Sequence, residues 1–204
     1  MKYPALHKVY KFDDSIIGRD RTIIASVIDY WAWAHSDLLD NAERGAFAEY
    51  LVARAVGDRS THRTNWEKYD ITSSEGIHIE VKTSAYLQSW GQDKLSIIKF
   101  GIGKTYGYNY EINSYESEKK RQADVYVFCV LTETDQEQLN PLDTAQWDFY
   151  VLAAKVFDEN PYYSDKESIT LLPLINLGAV KCSFEHLHQE VINAMNKTAG
   201  EALL

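Results

Sequence analysis

Hydrophobic and polar residues alternate strictly between positions 77 and 83. The β-branched positions are Ile77, Ile79, Val81 and Thr83, and the polar positions between them are His78, Glu80 and Lys82. Successive side chains of a strand point to opposite faces, so the pattern predicts a strand with one face in the core and Glu80 beside Lys82 on the other. The preceding turn sequence, Ser73-Ser74-Glu75-Gly76, predicts a hairpin that returns Asp70 to the same place.

A helix is predicted upstream of this hairpin. It begins after Asp40-Asn41, either residue of which can cap it, and ends at Gly57. Helical spacing aligns Glu49 with small and branched apolar residues, so its carboxylate is expected near packed surface and needs a partner. Two interpretations stay open: Glu49 is a functional acid, or it forms a structural bridge to Arg54 or Lys82.

Other segments complete the predicted α/β architecture. Apolar residues at helix spacing predict a helix within residues 15–39, and the apolar runs 124–131 and 147–153 predict core strands. Residues 96–102 are expected to be extended. Together these elements predict a mixed central β-sheet flanked by α-helices, with the hairpin at its working edge.

Length and composition fit one globular domain. The chain has 204 residues, of which 45% are hydrophobic, so it can bury a substantial core. We expect residues 1–40 to form an N-terminal helical arm packed on the core, 41–131 the catalytic core and 132–204 a C-terminal strand and helix extension. Neither a membrane span nor a signal peptide is visible, which predicts a cytoplasmic protein.

The net charge of −9 argues against a nucleic-acid partner, but the charge is unevenly distributed. Residues 133–167 contain nine acids and two lysines, whereas residues 90–121 contain six basic and four acidic residues. Local field matters more than total charge when a phosphate backbone docks. We therefore expect the nucleic-acid contacts in the second segment, at Lys99, Lys104, Lys119 and Arg121.

The Glu-x-Lys at positions 80 and 82 is a weak motif when taken alone. The chain contains a second copy, Glu118 and Lys120, which lies in a charged run without a β-branched face. The first copy differs because an amphipathic strand, a hairpin acid and a helix acid accompany it. Its structural alternative is a surface hairpin with an ion pair.

This combination resembles the PD-(D/E)XK nuclease superfamily, which has a restriction endonuclease-like core, and the longer pattern resembles a bacterial branch of it. The resemblance covers roughly residues 41–131, and Tyr69 stands where the superfamily's name has Pro. The catalytic residues that it implies are Glu49 as the helix acid, Asp70 and Glu80 as the two metal acids, Lys82 as the lysine, and Gln88 as the glutamine some branches carry.

The resemblance also implies a cofactor and a reaction. Asp70, Glu80 and the Val81 carbonyl would supply hard oxygen ligands, which suit Mg²⁺ or Mn²⁺. Glu49 would hold a metal-bound water or a second cation, and Lys82 would orient the water that attacks the phosphodiester bond. The implied activity is hydrolysis of nucleic acid, with DNA as the expected substrate.

Two other classes of function stay open at this point. One is a nucleic-acid-binding module that retains the nuclease fold without cleaving, and the other is a structural protein in which Glu80 and Lys82 make surface contacts. The sequence does not decide between endonuclease and exonuclease action or between one metal and two. It also leaves an oligomer open.

Overall fold

The computed structural model describes residue 6 and residues 8–60, 62–64, 67–109 and 114–201. The chain forms two compact units, residues 1–38 and residues 39–204. No helix within the described ranges is long and apolar enough to cross a membrane.

The first unit is a hairpin followed by a short helix. Strands β1 (Ser15–Ile17) and β2 (Ile23–Ser26) pair antiparallel, and helix α1 spans Val27–Ala34. The helix predicted for residues 15–39 is therefore wrong in its first half. The isoleucines on either side of a polar turn favour strands, and Ser26 begins the helix through a capping box. The packing of this unit on the core stays a prediction.

A mixed five-stranded sheet forms the centre of the second unit, which confirms the predicted α/β class. Only β4 and β8 run parallel, and every other neighbouring pair is antiparallel. The β3–β4 hairpin lies at one edge of the sheet, as the sequence predicts. In spatial order the strands are β11 (Val180–Cys182), β9 (Trp147–Ala153), β8 (Val125–Leu131), β4 (His78–Ala85) and β3 (Ile71–Thr72).

Helices cover one face of this sheet. Helix α2 (Asn41–Ala55) and helix α5 (Leu187–Glu201) pack there against the inward side chains of β4, β8 and β9. Asp40 caps α2 by accepting hydrogen bonds from the first turn, and Gly57 has the positive φ of a helix stop, at 69°. Both ends of this helix match the sequence prediction.

The other face of the sheet carries a second core cluster. It is built from β8 and β9 together with shorter elements of the C-terminal half and the strand after β4. Of the predicted extended segment 96–102, only the end forms a regular strand, which pairs with β10. The elements are β5 (Lys99–Gly101), α3 (Ala154–Glu159), β10 (Ser168–Thr170) and α4 (Leu171–Asn176).

The remaining elements lie outside the central sheet. Strands β6 (Thr105–Asn109) and β7 (Ser114–Lys120) form a separate two-stranded sheet. Two single 3₁₀ turns, Thr144–Gln146 and Phe184–His186, precede β9 and α5. Cys129 is a free, buried thiol in β8, as its apolar surroundings predict.

Candidate active site

Strand β4 separates its side chains as the alternating pattern predicts. Ile79 and Val81 are buried against α2, while Glu80 and Lys82 share the opposite face and are partly buried. The Lys82 ammonium donates to Glu80 Oε1 at 2.5 Å. A carboxylate and an ammonium are thus held side by side near the sheet edge.

Asp70 is fixed to β4 by both its backbone and its side chain. Its N–H donates to the Ile79 carbonyl at 3.0 Å, and its Oδ2 accepts the Val81 N–H at 2.7 Å. The Asp70 carboxylate therefore accepts the β4 hydrogen bond that a backbone carbonyl would accept if β3 were longer. This local pairing explains how the hairpin brings Asp70 next to Glu80.

The site brings negative charges together where Asp70 keeps contact with solvent although protein surrounds most of it. Burial, followed by the neighbouring Glu80 carboxylate, raises the pKa of Asp70 to about 7, and Glu49 adds to the effect. Burial alone would lower the pKa of Lys82, but the charges of Glu80, Asp70 and Glu49 outweigh it and raise that pKa. Glu49 and Glu80 therefore both act electrostatically on Asp70 and on Lys82. We call Asp70, Glu80 and Lys82 the acid site.

Glu49 projects from α2, which is fixed by the burial of Ala48 and Val52 against the sheet. Its carboxylate accepts two hydrogen bonds from Arg63, from Nε at 2.5 Å and from Nη2 at 2.9 Å. The partner is therefore neither Arg54 nor Lys82, the two candidates that sequence reasoning named. Arg63 lies in the irregular segment between α2 and β3, where no periodic pattern marks a contact.

A cavity of about 230 Å³ opens between α2 and this segment. Glu49 and Tyr50 line it from the helix, Arg63 lines it from the loop, and Asp70 lines it from the hairpin. Of the acid site, Asp70 thus lies on the wall of a concave space.

Gln88 lies beyond the end of β4 and joins three segments. Its Nε2 donates to the Ala85 carbonyl at 2.9 Å and to Ser96 Oγ at 3.2 Å, while its Oε1 accepts from Arg44 Nη1 at 3.1 Å. Arg44 is itself buried at the start of α2. These contacts connect the helix that carries Glu49 to the strand that carries Glu80.

Arg121 corrects one of the expected nucleic-acid contacts. Its side chain is 0% exposed, and its guanidinium donates to Asp158 and to the carbonyls of Ile102, Tyr163 and Ser164. A side chain enclosed in this way cannot reach a phosphate backbone. Sequence reasoning counted its charge but had no means of detecting its acceptors, which lie 19 to 43 residues away.

The three lysines of the expected nucleic-acid path differ in their surroundings. Lys99 is exposed on β5, and exposed Lys119 lies over the Tyr106 ring at 5.3 Å from its centroid. Lys104 pairs with the exposed Asp165 at 2.9 Å. These positions remain compatible with contact to a polyanion.

Within the described ranges, no group of three or more His, Cys, Asp or Glu side chains is placed to hold a metal ion. The carboxylates of Asp70 and Glu80 repel each other, and the third carboxylate, that of Glu49, is paired with Arg63. The missed residue of the site is therefore Arg63, since its pairing determines what Glu49 can do.

A family model described as bacteriophage T4 endonuclease IV matches residues 18–167. The match covers well over half of the chain and includes the acid site, Glu49 and Arg63. No curated protein matches the sequence significantly. The chain belongs to the bacteriophage T4 endonuclease IV family, which indicates a nuclease.

Proposed function

We propose that the protein is a metal-dependent nuclease that hydrolyses phosphodiester bonds in DNA with a PD-(D/E)XK-type site. The observation that carries the proposal is the convergence of Asp70, Glu80 and Lys82 on the edge of the sheet, next to a cavity. Membership of an endonuclease family supports the reaction class. The net charge of −9 argues against a nucleic-acid partner. The segment that contains the exposed lysines, residues 90–121, nevertheless has six basic and four acidic residues.

The donor set fits a hard divalent cation such as Mg²⁺ or Mn²⁺. Asp70 and Glu80 are neighbouring like charges, and the raised pKa of Asp70 supports a bound cation, which would let both carboxylates stay ionised. We assign Asp70, Glu80 and the Val81 carbonyl as ligands, with Glu49 contributing from α2. When bound, the cation would activate water and neutralise charge that develops on the phosphate.

The chain's own residues then have separate tasks. Lys82 holds and orients the attacking water and places an ammonium beside the phosphate oxygens, and Glu80 keeps that ammonium charged and in position. For Gln88 we propose a positioning task, because its amide joins Arg44 and Ala85. Lys99, Lys104 and Lys119 are proposed to follow the DNA backbone.

The test is cleavage by single variants. We expect Asp70→Ala, Glu80→Ala and Lys82→Ala each to lower the cleavage rate at least about a hundredfold, because each removes a group that acts on the reacting phosphate. Supercoiled, linear and single-stranded DNA, and RNA, should be incubated with Mg²⁺, Mn²⁺ or EDTA. Only the divalent ions should support cleavage by the wild type.

The second Glu-x-Lys supplies a matched control. Glu118→Ala removes the same charge from an exposed strand and should leave cleavage unchanged. Wild-type rates in all three site variants, on every substrate that is cut, would refute the catalytic assignment. A wild type that binds DNA but never cuts it would favour the non-catalytic binding module.

A further inference from the structure

Arg63 occupies a place that the proposed mechanism does not use. Its guanidinium lines the cavity that borders the acid site, and its side chain is 51% exposed. The hydrogen bonds to Glu49, and to a smaller extent the charge of Asp70, raise the pKa of Arg63. The guanidinium therefore lies within electrostatic range of a proposed metal ligand while half of it faces solvent.

The charged residues that line the cavity show why the position of Arg63 matters. A phosphodiester that enters a wall of carboxylates is repelled unless a cation faces it. Among the described residues that line the cavity, Arg63 is the only Lys or Arg. The carboxylates in the same set are Glu49, Asp58, Glu67 and Asp70.

The ion pair between Arg63 and Glu49 is open to solvent on the arginine side, since the side chain of Arg63 is 51% exposed and that of Glu49 is 16% exposed. A phosphate can therefore approach the guanidinium from solvent while the pair is still formed. The bidentate contact, with Nε and Nη2 on the two oxygens of Glu49, has the geometry that a guanidinium also uses for phosphate. A phosphate oxygen pair can therefore replace the carboxylate without reshaping the side chain.

We infer that Arg63 binds a phosphate of the nucleic-acid backbone adjacent to the scissile one, and exchanges Glu49 for it when substrate enters. This inference rests on the proposed nuclease function. The exchange releases the Glu49 carboxylate for its role near Asp70.

The experiment measures DNA binding in EDTA over a series of salt concentrations, so that cleavage does not interfere. Arg63→Ala should weaken binding roughly tenfold at low salt and reduce the slope of log affinity against log salt by about one. Arg63→Lys should restore the slope, since it keeps the charge, but not the full affinity, since it loses the bidentate contact. Arg54→Ala removes the same charge from an exposed position of α2 and should leave the slope unchanged.

A Glu49→Gln background separates phosphate binding from a structural pairing. If Arg63 only neutralises Glu49, removing the arginine has no further effect once the carboxylate is gone. If it binds phosphate, Arg63→Ala still reduces affinity and slope in the Glu49→Gln protein. Thermal melts of each variant confirm that binding is compared between folded proteins.

The failures of the two proposals are distinguishable. A wild type that cleaves DNA together with an Arg63→Ala protein of unchanged slope overturns the role of Arg63 alone. Loss of the effect in the Glu49→Gln background does the same. A wild type that neither binds nor cleaves any nucleic acid overturns the proposed function and this inference with it.

Discussion

Two regions of the second unit bring charged groups together, and their arrangements are opposite. Around Arg121, one guanidinium is enclosed by Asp158 and three backbone carbonyls and lies 5.3 Å from the Phe157 ring centroid. In the acid site, the ammonium of Lys82 pairs with Glu80, and burial with repulsion from Glu80 raises the pKa of Asp70. The first region matches a cation to its acceptors, whereas the second crowds like charges together.

The difference separates a stabilising site from a functional one. A buried charge that is fully hydrogen-bonded is a structural element, and its loss leaves several acceptors without a donor. A local excess of negative charge opposes folding, and it is understandable where a cation or a reacting group is to be bound. The charged side chains of the two regions look alike in the sequence. Only the groups around them in the folded chain distinguish the stabilising region from the functional one.

The largest expected effect concerns the stabilising region. Arg121→Ala should lower the free energy of unfolding by about 3–5 kcal/mol, because it leaves Asp158 and three carbonyls without their shared donor. Urea denaturation followed by circular dichroism measures the change. Arg121→Lys should recover only part of it, since an ammonium cannot reproduce the planar set of contacts.

Lys119→Ala is the control for this prediction. It removes the same charge from an exposed position and should change stability by less than about 0.5 kcal/mol. If Arg121→Ala were equally mild, the contrast between the two regions would be lost.

The next effect concerns the acid site. Asp70→Asn keeps the shape and can still accept the Val81 N–H, but it removes one of the crowded charges. In EDTA the variant should melt at or above the wild-type temperature, whereas its cleavage should be lost. Mg²⁺ at about a hundred times its dissociation constant should stabilise the wild type by roughly 2.7 kcal/mol, and the variant should lose most of this gain.

A structural ion pair predicts the reverse of each result. The wild type would then ignore Mg²⁺, and Asp70→Asn would be less stable in EDTA. Thermal melts of both proteins with and without Mg²⁺ decide between the two cases. Glu118→Asn, which removes an exposed charge, should alter neither the melting temperature nor the response to Mg²⁺.

The comparison also shows what the sequence could predict. The β3–β4 hairpin follows from a two-residue period and a Gly-containing turn, both of which are local, so the placement of Asp70, Glu80 and Lys82 was predicted correctly. The contacts of Arg121 and Arg63 were not predicted. Each depends on chain segments that approach only after folding, and charge counting treats every arginine alike.

The N-terminal unit shows a different kind of limit. Its isoleucines fit a helical spacing as well as two short strands, since Ile23 and Ile24 satisfy either pattern. In the folded chain β1 and β2 pair across a turn, so these residues form strands, and the capping residue Ser26 marks where the helix begins. Short apolar segments carry too few periods to separate the two structures.

The smallest expected effect tests the lysines that the sequence grouped with Arg121. Lys99 and Lys119 are exposed, so each should contribute about one unit to the salt slope of DNA binding if it contacts a phosphate. Lys104 should contribute where a phosphate displaces the exposed Asp165 that now pairs with its ammonium. Salt titrations of the three single variants and of the triple alanine variant measure these contributions, with Lys155→Ala as the control from the acidic segment. An unchanged slope in the triple variant would place the DNA path elsewhere on the molecule.

Arg121→Ala, measured well below its melting temperature, should keep the wild-type slope, because a side chain enclosed by Asp158 and backbone carbonyls contributes stability and no phosphate contact.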